Sequence, residues 1–383
     1  MKPTVAIVRG KFLNRYEMQF YEPLIKTYRI TAFGSLYPYH DRFAFPVVKL
    51  PSPMDLSCGA GSRFVRPILN RLFTDAHYLL GLEDRLRGFD IVHTAETYFR
   101  YTQQCLDAKR KGYVKKVIAT VLENIPFNNE GIRGRAAYKL RARRELDHII
   151  ALTHKTKEAL LSEGADSGKI TVIPHFVDSK RFAPSKEAVL RRKSHSKSLT
   201  ILFAGRLEEY KGVFDILQAI QMLKKDRSLR GVPFRMVFVG NGSQKEKMER
   251  QEWLLGLSDI VSHTEASYDD MPAVYNQADI FIAPSVPTPT YDEQYCTVLL
   301  EAQANGLPIV TTRTGGIPEN VGNAAVMVAP GDIMGLKRSI KGFITDTKLR
   351  VGYAYRARQR AMAVHDIHIG AEKLSAVYRN VLS

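Results

Sequence analysis

The stretch that decides the fold covers residues 291–320 and reads YDEQYCTVLLEAQANGLPIVTTRTGGIPEN. Two carboxylates, Glu293 and Glu301, stand eight positions apart in it and flank a predicted loop-to-helix transition. Thr297 has a side chain that suits a helix N-cap, and residues 298–304 are predicted to be helical. A helix N-terminus offers unpaired N–H groups and partial positive charge to an anion. The stretch therefore predicts a site for a phosphorylated ligand rich in hydroxyl groups.

The rest of the stretch predicts the elements that follow this helix and a role for Glu301. Gly306 is expected to end the helix, and residues 308–311 to form a short buried strand. Gly315 and Gly316 then open a tight turn into a second short helix. Glu301 lies about one turn inside the first helix, where its carboxylate can accept hydrogen bonds from the hydroxyls of a ribose.

Residues 185–198 are polar and basic, as expected of a variable surface connection, and strands are predicted at residues 199–204, 234–239 and 280–283. A second anion-binding pattern follows the first of these strands. The string GRLEEYKG at residues 205–212 begins with Gly205, which lets the backbone approach a ligand closely. Arg206 offers a bidentate fork and Lys211 a compact charge, so together they can neutralise a diphosphate. The alternative is that both are ordinary surface cations.

The ordered set of strings resembles the donor site of family 4 glycosyltransferases, which are retaining enzymes of the GT-B fold. The set is E-x7-E, the GLPIV and TGGIPE strings, and GR-x4-KG. The resemblance implies an α/β protein with two Rossmann-like, doubly wound parallel-sheet domains that face a cleft. It implies an acceptor-binding domain over residues 1–174 and a donor-binding domain over residues 175–364. The final helix, at about residues 365–383, is expected to pack back on the first domain.

The resemblance also implies roles for individual residues. Transfer of a sugar from a nucleoside-diphosphate sugar to a hydroxyl acceptor would use Arg206, Lys211 and Glu293 as catalytic residues. UDP-sugars are favoured as donors, with GDP-sugars as the alternative. No metal and no true cofactor are expected, since the cations take the part of a divalent ion. The expected donor-binding residues are Gly205, Gly240, Gly242, Tyr268, Thr297, Val298 and Glu301.

The chain departs from the family pattern directly after Glu293. Relatives usually have Pro or Gly, then Phe, then Gly, whereas this chain has Gln294, Tyr295 and Cys296. These bulkier residues are expected to reshape the sugar pocket. A nucleophilic role for Cys296 is not assigned.

The N-terminal half predicts an acceptor side less sharply. A strand at residues 4–8 leads into Arg9, Gly10 and Lys11 and then into a helix expected from about residue 16 to residue 28. Residues 89–93 are predicted to form a strand that ends at His93. The carboxyl ends of parallel strands line the ligand crevice, so these residues, with Glu96, Glu123 and Asn124, are candidates for its rim. Of these, the acceptor-side assignments are Gly10, Lys11, His93 and Glu123.

Each acceptor-side assignment has an alternative. Arg9 and Lys11 are either anion contacts or solvated loop charges. Family members often carry a histidine after the strand equivalent to residues 117–121, but here the string TVLENIPF places Glu123 near that position. Glu123 is therefore either an acceptor or catalytic contact, or a capping or salt-bridged carboxylate.

Composition and charge indicate which classes of partner the protein binds. The net charge is +17, with a basic run at residues 133–144 and a basic amphipathic segment at residues 62–73. These favour an anionic acceptor or contact with an anionic membrane over nucleic acid, whose motifs are missing from the sequence. The alternative for residues 62–73 is a packed surface helix with its arginines outward.

The sequence also limits the setting of the protein. Three cysteines without metal-ligand spacing indicate a reducing compartment. No apolar run is long enough to cross a bilayer. We therefore expect a cytoplasmic protein, with the inner face of the membrane as the alternative, acting in glycan, glycolipid or cell-surface polysaccharide synthesis. The competing functions are a sugar-nucleotide epimerase of similar fold and a non-catalytic basic nucleic-acid-binding protein.

Overall fold

The computed structural model describes residues 1–57, 74–193 and 198–383. The chain divides into two compact units. The first comprises Met1–His175 together with Ile367–Ser383, and the second comprises Phe176–Asp366. Each unit is a parallel β-sheet packed with helices, so the predicted α/β class with two Rossmann-like parallel-sheet domains is confirmed. The predicted segment at residues 62–73 lies outside the described residues.

The described part of the first unit contains a seven-stranded sheet with the order β3-β2-β1-β4-β5-β6-β7. Its strand order reverses between β1 and β4, which is the position of the ligand crevice in a doubly wound sheet. The strands are β1 (Thr4–Gly10), β2 (Arg29–Gly34), β3 (Val47–Lys49), β4 (Phe89–Ala95), β5 (Val114–Val121), β6 (His148–Ala151) and β7 (Ile170–Val172). The α-helices described in this unit are Arg15–Met18, Leu82–Arg85, Arg100–Arg110, Arg135–Glu145, His154–Ser162 and Ile367–Leu382.

The second unit has a six-stranded parallel sheet with the order β10-β9-β8-β11-β12-β13 among its described residues. The strands are β8 (Leu199–Ala204), β9 (Phe234–Val239), β10 (Val261–Thr264), β11 (Ile280–Ala283), β12 (Ile309–Thr312) and β13 (Val326–Val328). The α-helices described here are Lys186–Lys193, Val213–Lys224, Lys245–Leu254, Met271–Gln277, Thr297–Ala304, Ile317–Val321, Ile333–Thr345 and Thr347–Val364.

Burial explains why the central strands read as apolar runs. All six residues of β8 and all four of β11 are buried, because helices cover both faces of a parallel sheet. Each sheet carries its own core of buried apolar side chains.

The end of the Thr297–Ala304 helix is also determined by its local sequence. Gly306, at φ +63°, stops the Thr297–Ala304 helix as predicted, and its N–H bonds to the carbonyl of Gln303 at 2.9 Å.

One sequence-based expectation about a helix was wrong. The helix expected over residues 16–28 is a short α-helix, Arg15–Met18, followed by a 3₁₀ helix, Gln19–Lys26, which contains Pro23. Proline has no N–H to continue an α-helical ladder. Within the polar connection expected at residues 185–198, Lys186–Lys193 forms a helix that buries Arg192. The Arg192 guanidinium donates to the carbonyl oxygens of Ala278, Asn305 and Tyr275 at 2.7–2.9 Å.

The Ile367–Leu382 helix is an integral part of the first unit. The hydroxyl of Tyr28 lies 3.0 Å from Ser375 Oγ, and Tyr378 Oη lies 2.8 Å from His93 Nδ1. This C-terminal helix therefore supplies hydrogen-bonding partners for polar side chains that are buried in the first unit. None of the described helices is long and apolar enough to span a membrane.

Candidate active site

The centre of the candidate site is an ion pair between two sequence-predicted residues. Lys211 follows β8, and Glu293 lies in the loop between β11 and the Thr297–Ala304 helix. The Lys211 Nζ lies 2.6 Å from Glu293 Oε2, although the two residues are 82 positions apart. Their side chains are only 16% and 7% exposed, so the pair is largely shielded from solvent.

The ion pair fixes the charge of both partners. Burial alone favours the neutral carboxyl, but the Lys211 charge and its hydrogen bond, with donors from Ser285 and Tyr291, hold the pKa of Glu293 below its ordinary value. Burial opposes the charge on Lys211 as well, yet the adjacent Glu293 raises the pKa of the ammonium well above its usual range. Both groups are therefore ionised at neutral pH.

Arg206 lies beside this pair. Its guanidinium carbon is 5.4 Å from the centre of the Tyr210 ring, and Lys211 Nζ is 5.9 Å from the same centre. Arg206 is exposed, whereas Lys211 is partly buried. The two predicted cations thus flank one aromatic ring, with the more exposed guanidinium open to an incoming anion.

Glu301 occupies a different environment from Glu293. It is 4% exposed, and its Oε2 accepts a hydrogen bond from Tyr275 Oη at 2.8 Å. Burial raises the pKa of Glu301 to about 7, against smaller opposing effects of the Tyr275 hydrogen bond and the Arg181 charge. At neutral pH this carboxyl is close to half-protonated, so it can both donate to and accept from a neutral hydroxyl.

The start of the Thr297–Ala304 helix differs from the prediction. Thr297 is the first helical residue, and the N-cap is Cys296, which has a left-handed backbone (φ +56°) and makes no side-chain cap. The prediction that Thr297 is the N-cap was wrong, because the backbone turns one residue earlier. Thr297 and Val298 nevertheless both lie in the first turn of the helix, where amides are unpaired. Burial raises the pKa of the Cys296 thiol, which keeps it protonated.

The glycine loops after β8 and β9 pack on each other. The amide of Gly205 bonds to the carbonyl of Val239 at 3.0 Å, and Leu207 N bonds to Asn241 O at 3.0 Å. A Cβ on Gly240, whose φ is +138°, would lie 2.0 Å from the carbonyl oxygen of Gly205. A Cβ on Gly242 would lie 2.3 Å from Leu207 O. Gly240 and Gly242 are thus needed for this close approach of the two loops, which lie at the carboxyl ends of β8 and β9.

A third loop holds the backbone of Glu293. The amide of Gly316 donates to Glu293 O at 2.8 Å, and a Cβ on Gly315 would lie 1.9 Å from the same oxygen. Asp292 Oδ1 accepts from Thr314 Oγ1 at 2.7 Å and from the Glu293 amide at 2.9 Å. The TGG turn predicted from the sequence therefore clamps the first carboxylate of the E-x7-E pattern in place.

Tyr268 lies in a loop that Arg181 organises. The Arg181 guanidinium donates to the Tyr268 carbonyl at 2.7 Å and lies 4.3 Å from the centre of its ring. It also contacts Asp269 at 3.1 Å. Sequence reasoning did not identify Arg181, because nothing in its local sequence indicates a partner 87 positions away.

Among the residues assigned to the acceptor side, Gly10 is the last residue of β1 and Lys11 follows it, so the strand runs two residues past the predicted end at residue 8. Gly10 has φ +54°, and a Cβ there would lie 3.3 Å from the Tyr101 ring. Arg9, however, is 3% exposed and donates to His93 O at 3.0 Å and Tyr21 Oη at 3.1 Å. The alternative that Arg9 is a solvated loop charge was wrong. It ties β1 to β4 instead.

His93 is not a rim residue, which corrects its assignment. It lies inside β4 with 0% exposure, and its Nε2 is 2.7 Å from Thr120 Oγ1. Burial, with the nearby Arg9 and His148, lowers the pKa of His93 well below its usual value. It is a neutral histidine of the interior rather than a proton carrier at the crevice.

Two carboxylates do lie at the carboxyl end of the first sheet. Glu123 accepts from the Ile125 amide at 3.0 Å and from Asn128 Nδ2 at 2.8 Å, so it organises its own loop. Glu96 follows β4 with a left-handed backbone (φ +57°) and is 4% exposed. Its Oε1 accepts from Leu122 N at 2.9 Å, whereas its buried Oε2 has no hydrogen-bond partner among the described residues. Burial, mainly, raises the pKa of Glu96 to about 8.

The basic run at residues 133–144 is largely neutralised within the first unit. Lys139 pairs with Glu163 and Glu130, Arg143 with Glu163, and Arg141 with Asp107 and Glu145. Arg135 lies 3.5 Å from Asp75. This pairing places four cations of the run in ion pairs within the first unit, and the membrane-contact prediction stays a prediction. Among the described residues no group of three or more His, Cys, Asp or Glu side chains is placed to hold a metal ion.

Comparison with known proteins places these features in a family. Residues 186–360 match the family described as Glycosyl transferases group 1, and residues 47–181 match Glycosyltransferase Family 4. The chain is 32% identical over 192 residues to D-inositol 3-phosphate glycosyltransferase of Paenarthrobacter aurescens, covering 47% of this chain and 44% of that protein. It is 28% identical over 241 residues to a glycogen synthase of Mycobacterium tuberculosis, covering 61% and 54% of the two chains. The chain spans about half the length of the curated relatives it matches.

Solved structures share the whole fold. Sucrose-phosphate synthase of Thermosynechococcus elongatus superposes with a TM-score of 0.77 at 17% identity, with 99% of each chain covered. HepE of Anabaena, in a complex with UDP and glucose, gives a TM-score of 0.76 at 15% identity, with 99% of this chain and 100% of that chain covered.

Proposed function

We propose that this chain, which belongs to the group 1 glycosyltransferases of the GT-B fold, transfers a sugar from a nucleoside-diphosphate sugar to an acceptor hydroxyl with retention at the anomeric carbon. The bond between the anomeric carbon and the diphosphate oxygen breaks, and a bond to the acceptor oxygen forms. The acceptor's proton passes to the leaving diphosphate. The acceptor is proposed to be a sugar, lipid-linked or other hydroxyl compound in glycan, glycolipid or cell-surface polysaccharide synthesis.

The observation that carries the proposal is the shielded ion pair of Lys211 and Glu293 beside Arg206. Charge that develops on a leaving diphosphate is stabilised most by fixed cations in a partly dry site. Lys211 remains charged there because Glu293 stands 2.6 Å away. Arg206 and Lys211 would bear on the diphosphate, and Glu293 on hydroxyls of the donor sugar.

The remaining donor contacts follow from the same edge of the second sheet. Amides in the first turn of the Thr297–Ala304 helix would meet the diphosphate. Glu301, with a pKa of about 7, would hydrogen-bond the ribose hydroxyls. The HepE structures with UDP, and with UDP-glucose, support a uridine donor, with a guanosine donor as the alternative. No divalent cation is included in the proposed mechanism.

A thermal-shift panel tests the proposal. UDP, GDP, ADP and their glucose or mannose conjugates are added to the whole protein in EDTA, because a ligand that binds the folded state raises the unfolding temperature. We expect a shift with UDP and UDP-glucose that Lys211→Ala and Arg206→Ala both reduce.

The matched control is Lys224→Ala. It removes another lysine of the second unit, one that pairs with Asp259 on the surface. This variant should keep the full shift. The proposal fails if no nucleotide diphosphate shifts the wild-type protein, or if Lys211→Ala responds as strongly as Lys224→Ala.

A further inference from the structure

Tyr291 makes two contacts at the candidate active site that the sequence motifs do not indicate. Its hydroxyl lies 2.8 Å from Lys211 Nζ and 3.0 Å from Glu293 Oε2. Lysine has only donors, and an ionised carboxylate has only acceptors. The phenol therefore accepts from the ammonium and donates to the carboxylate at the same time.

The ring of Tyr291 also has a packing partner. Its centre lies 4.2 Å from that of the Tyr210 ring. The backbone is fixed by a bridge between Thr288 and Tyr291. Two positions later, Glu293 is clamped by the turn at Gly315 and Gly316. The phenol thus has little freedom to leave the pair.

We propose that Tyr291 is a positioning residue for the transfer reaction. Its hydroxyl orients the Lys211 ammonium toward the donor diphosphate, and the same hydroxyl keeps Glu293 ionised when Lys211 turns to that diphosphate. The inference deepens the proposed function and rests on it. Glu293 Oε2 accepts from three groups: Lys211 at 2.6 Å, Ser285 at 2.7 Å and Tyr291 at 3.0 Å. If the ammonium reorients toward a phosphate oxygen, the two hydroxyls remain as donors to the carboxylate.

Tyr291 and Ser285 have separable parts in this arrangement. Both hydroxyls donate to Glu293, but only Tyr291 also contacts Lys211. Loss of either donor should raise the pKa of Glu293, since hydrogen bonds to the charged form favour it. Loss of Tyr291 should in addition free the ammonium to rotate, which weakens its contact with the diphosphate.

The test compares Tyr291→Phe, which keeps the ring, with Ser285→Ala and with Tyr353→Phe. Tyr353 packs on Phe343 in the same unit and serves as the control for loss of a phenol. UDP affinity is measured by calorimetry, and UDP release from UDP-glucose in the presence of acceptor mixtures gives kcat and KM from pH 3.5 to 9. Circular dichroism and the unfolding temperature establish that each variant is folded.

We expect Tyr291→Phe to bind UDP more weakly and to lower kcat about tenfold or more, as for other hydrogen bonds to charged groups. The acid limb of its pH profile should move to higher pH, because Glu293 then protonates sooner as the pH falls. Ser285→Ala should move the acid limb in the same direction but retain UDP affinity. Tyr291→Gln, which restores a donor and an acceptor, should recover part of the affinity.

The outcomes separate this inference from the proposed function. If the wild-type protein releases UDP and Tyr291→Phe matches Tyr353→Phe in affinity and acid limb, the positioning role is wrong and the transferase proposal stands. If the wild-type protein neither binds UDP nor releases it from UDP-glucose, the proposed function fails, and the role of Tyr291 fails with it.

Discussion

At the scale of single residues, the Lys211–Glu293 pair links stability to the proposed chemistry. Removing one member of a shielded ion pair leaves the other charge poorly compensated. We expect Glu293→Gln to lower the free energy of unfolding by about 1–3 kcal/mol, since the amide keeps one acceptor but loses the charge. Urea denaturation measures this loss, and UDP release should fall in the same variant.

A double-mutant cycle isolates the pair from its surroundings. Lys211→Met keeps most of the buried length of the side chain, and the double variant with Glu293→Gln removes both charges. If the two residues are coupled, the double variant should lose less stability than the sum of the single variants. Strict additivity would show that Lys211 and Glu293 act independently, against the geometry of the 2.6 Å contact.

At the scale of elements, the packed glycine loops explain why two motifs of the second sheet come as a set. Gly240→Ala would place a methyl group 2.0 Å from Gly205 O at φ +138°. We expect it to lower the free energy of unfolding by about 2 kcal/mol or more, and to weaken UDP binding, because both loops must separate.

Gly231→Ala is the matched control for that prediction. Gly231 also has a positive φ (+80°), but a Cβ there meets nothing within 4 Å. It should lose only about 1 kcal/mol, the cost of the left-handed backbone alone. Equal losses in the two variants, measured by urea denaturation, would show that the loop contact is not what requires glycine at position 240.

Elements were predictable where one local signal governs them. The strands Leu199–Ala204, Phe234–Val239 and Ile280–Ala283 were predicted with the observed bounds, because continuous apolar runs mark buried parallel strands. The helix within the polar connection at residues 185–198 was not predicted, because its position depends on distant contacts. The Lys186–Lys193 helix is held by Arg192, whose acceptors at Tyr275, Ala278 and Asn305 lie more than 80 positions away.

The candidate site likewise contains residues that the sequence predicted and residues that it did not. Arg206, Lys211, Glu293 and Glu301 were found because they belong to ordered strings. Tyr291, Ser285, Arg181 and Tyr275 were not, because each acts through a contact that only the folded chain creates. His93 was misplaced for a related reason. Strand β4 runs two residues past it to Ala95, which leaves the imidazole inside the sheet and brings Glu96 to its end.

At the scale of the whole molecule, buried titratable groups should set the pH dependence of stability. Burial raises the pKa of Glu96 in the first unit to about 8 and that of Glu301 in the second to about 7, from an ordinary value of 4.5. Between pH 4.5 and these raised pKa values, the folded state retains protons that the unfolded chain has released. Stability from these two groups is therefore lost as the pH rises toward their folded-state pKa values.

Other groups act in the opposite direction, but at lower pH. Burial lowers the pKa of His175 to about 3 and also lowers that of His93, so their contribution to stability increases with pH until it is complete near their ordinary value of 6.5. Glu293, whose pKa is lowered, titrates below 4.5. Among these groups, only Glu96 and Glu301 change protonation in the folded state between about pH 6.5 and 8.

We therefore expect the free energy of unfolding to fall between pH 6.5 and 8.5, by about 1.4 kcal/mol for each pH unit of this window in which Glu96 or Glu301 is still protonated in the folded state. Urea denaturation at these two pH values, with probes that follow each unit, measures the fall. Glu96→Gln should flatten the pH dependence of the first unit, and Glu301→Gln that of the second, because glutamine does not ionise. A wild-type stability that rises across this range would contradict the assignment, since two buried carboxyls that lose their protons inside the fold can only oppose it.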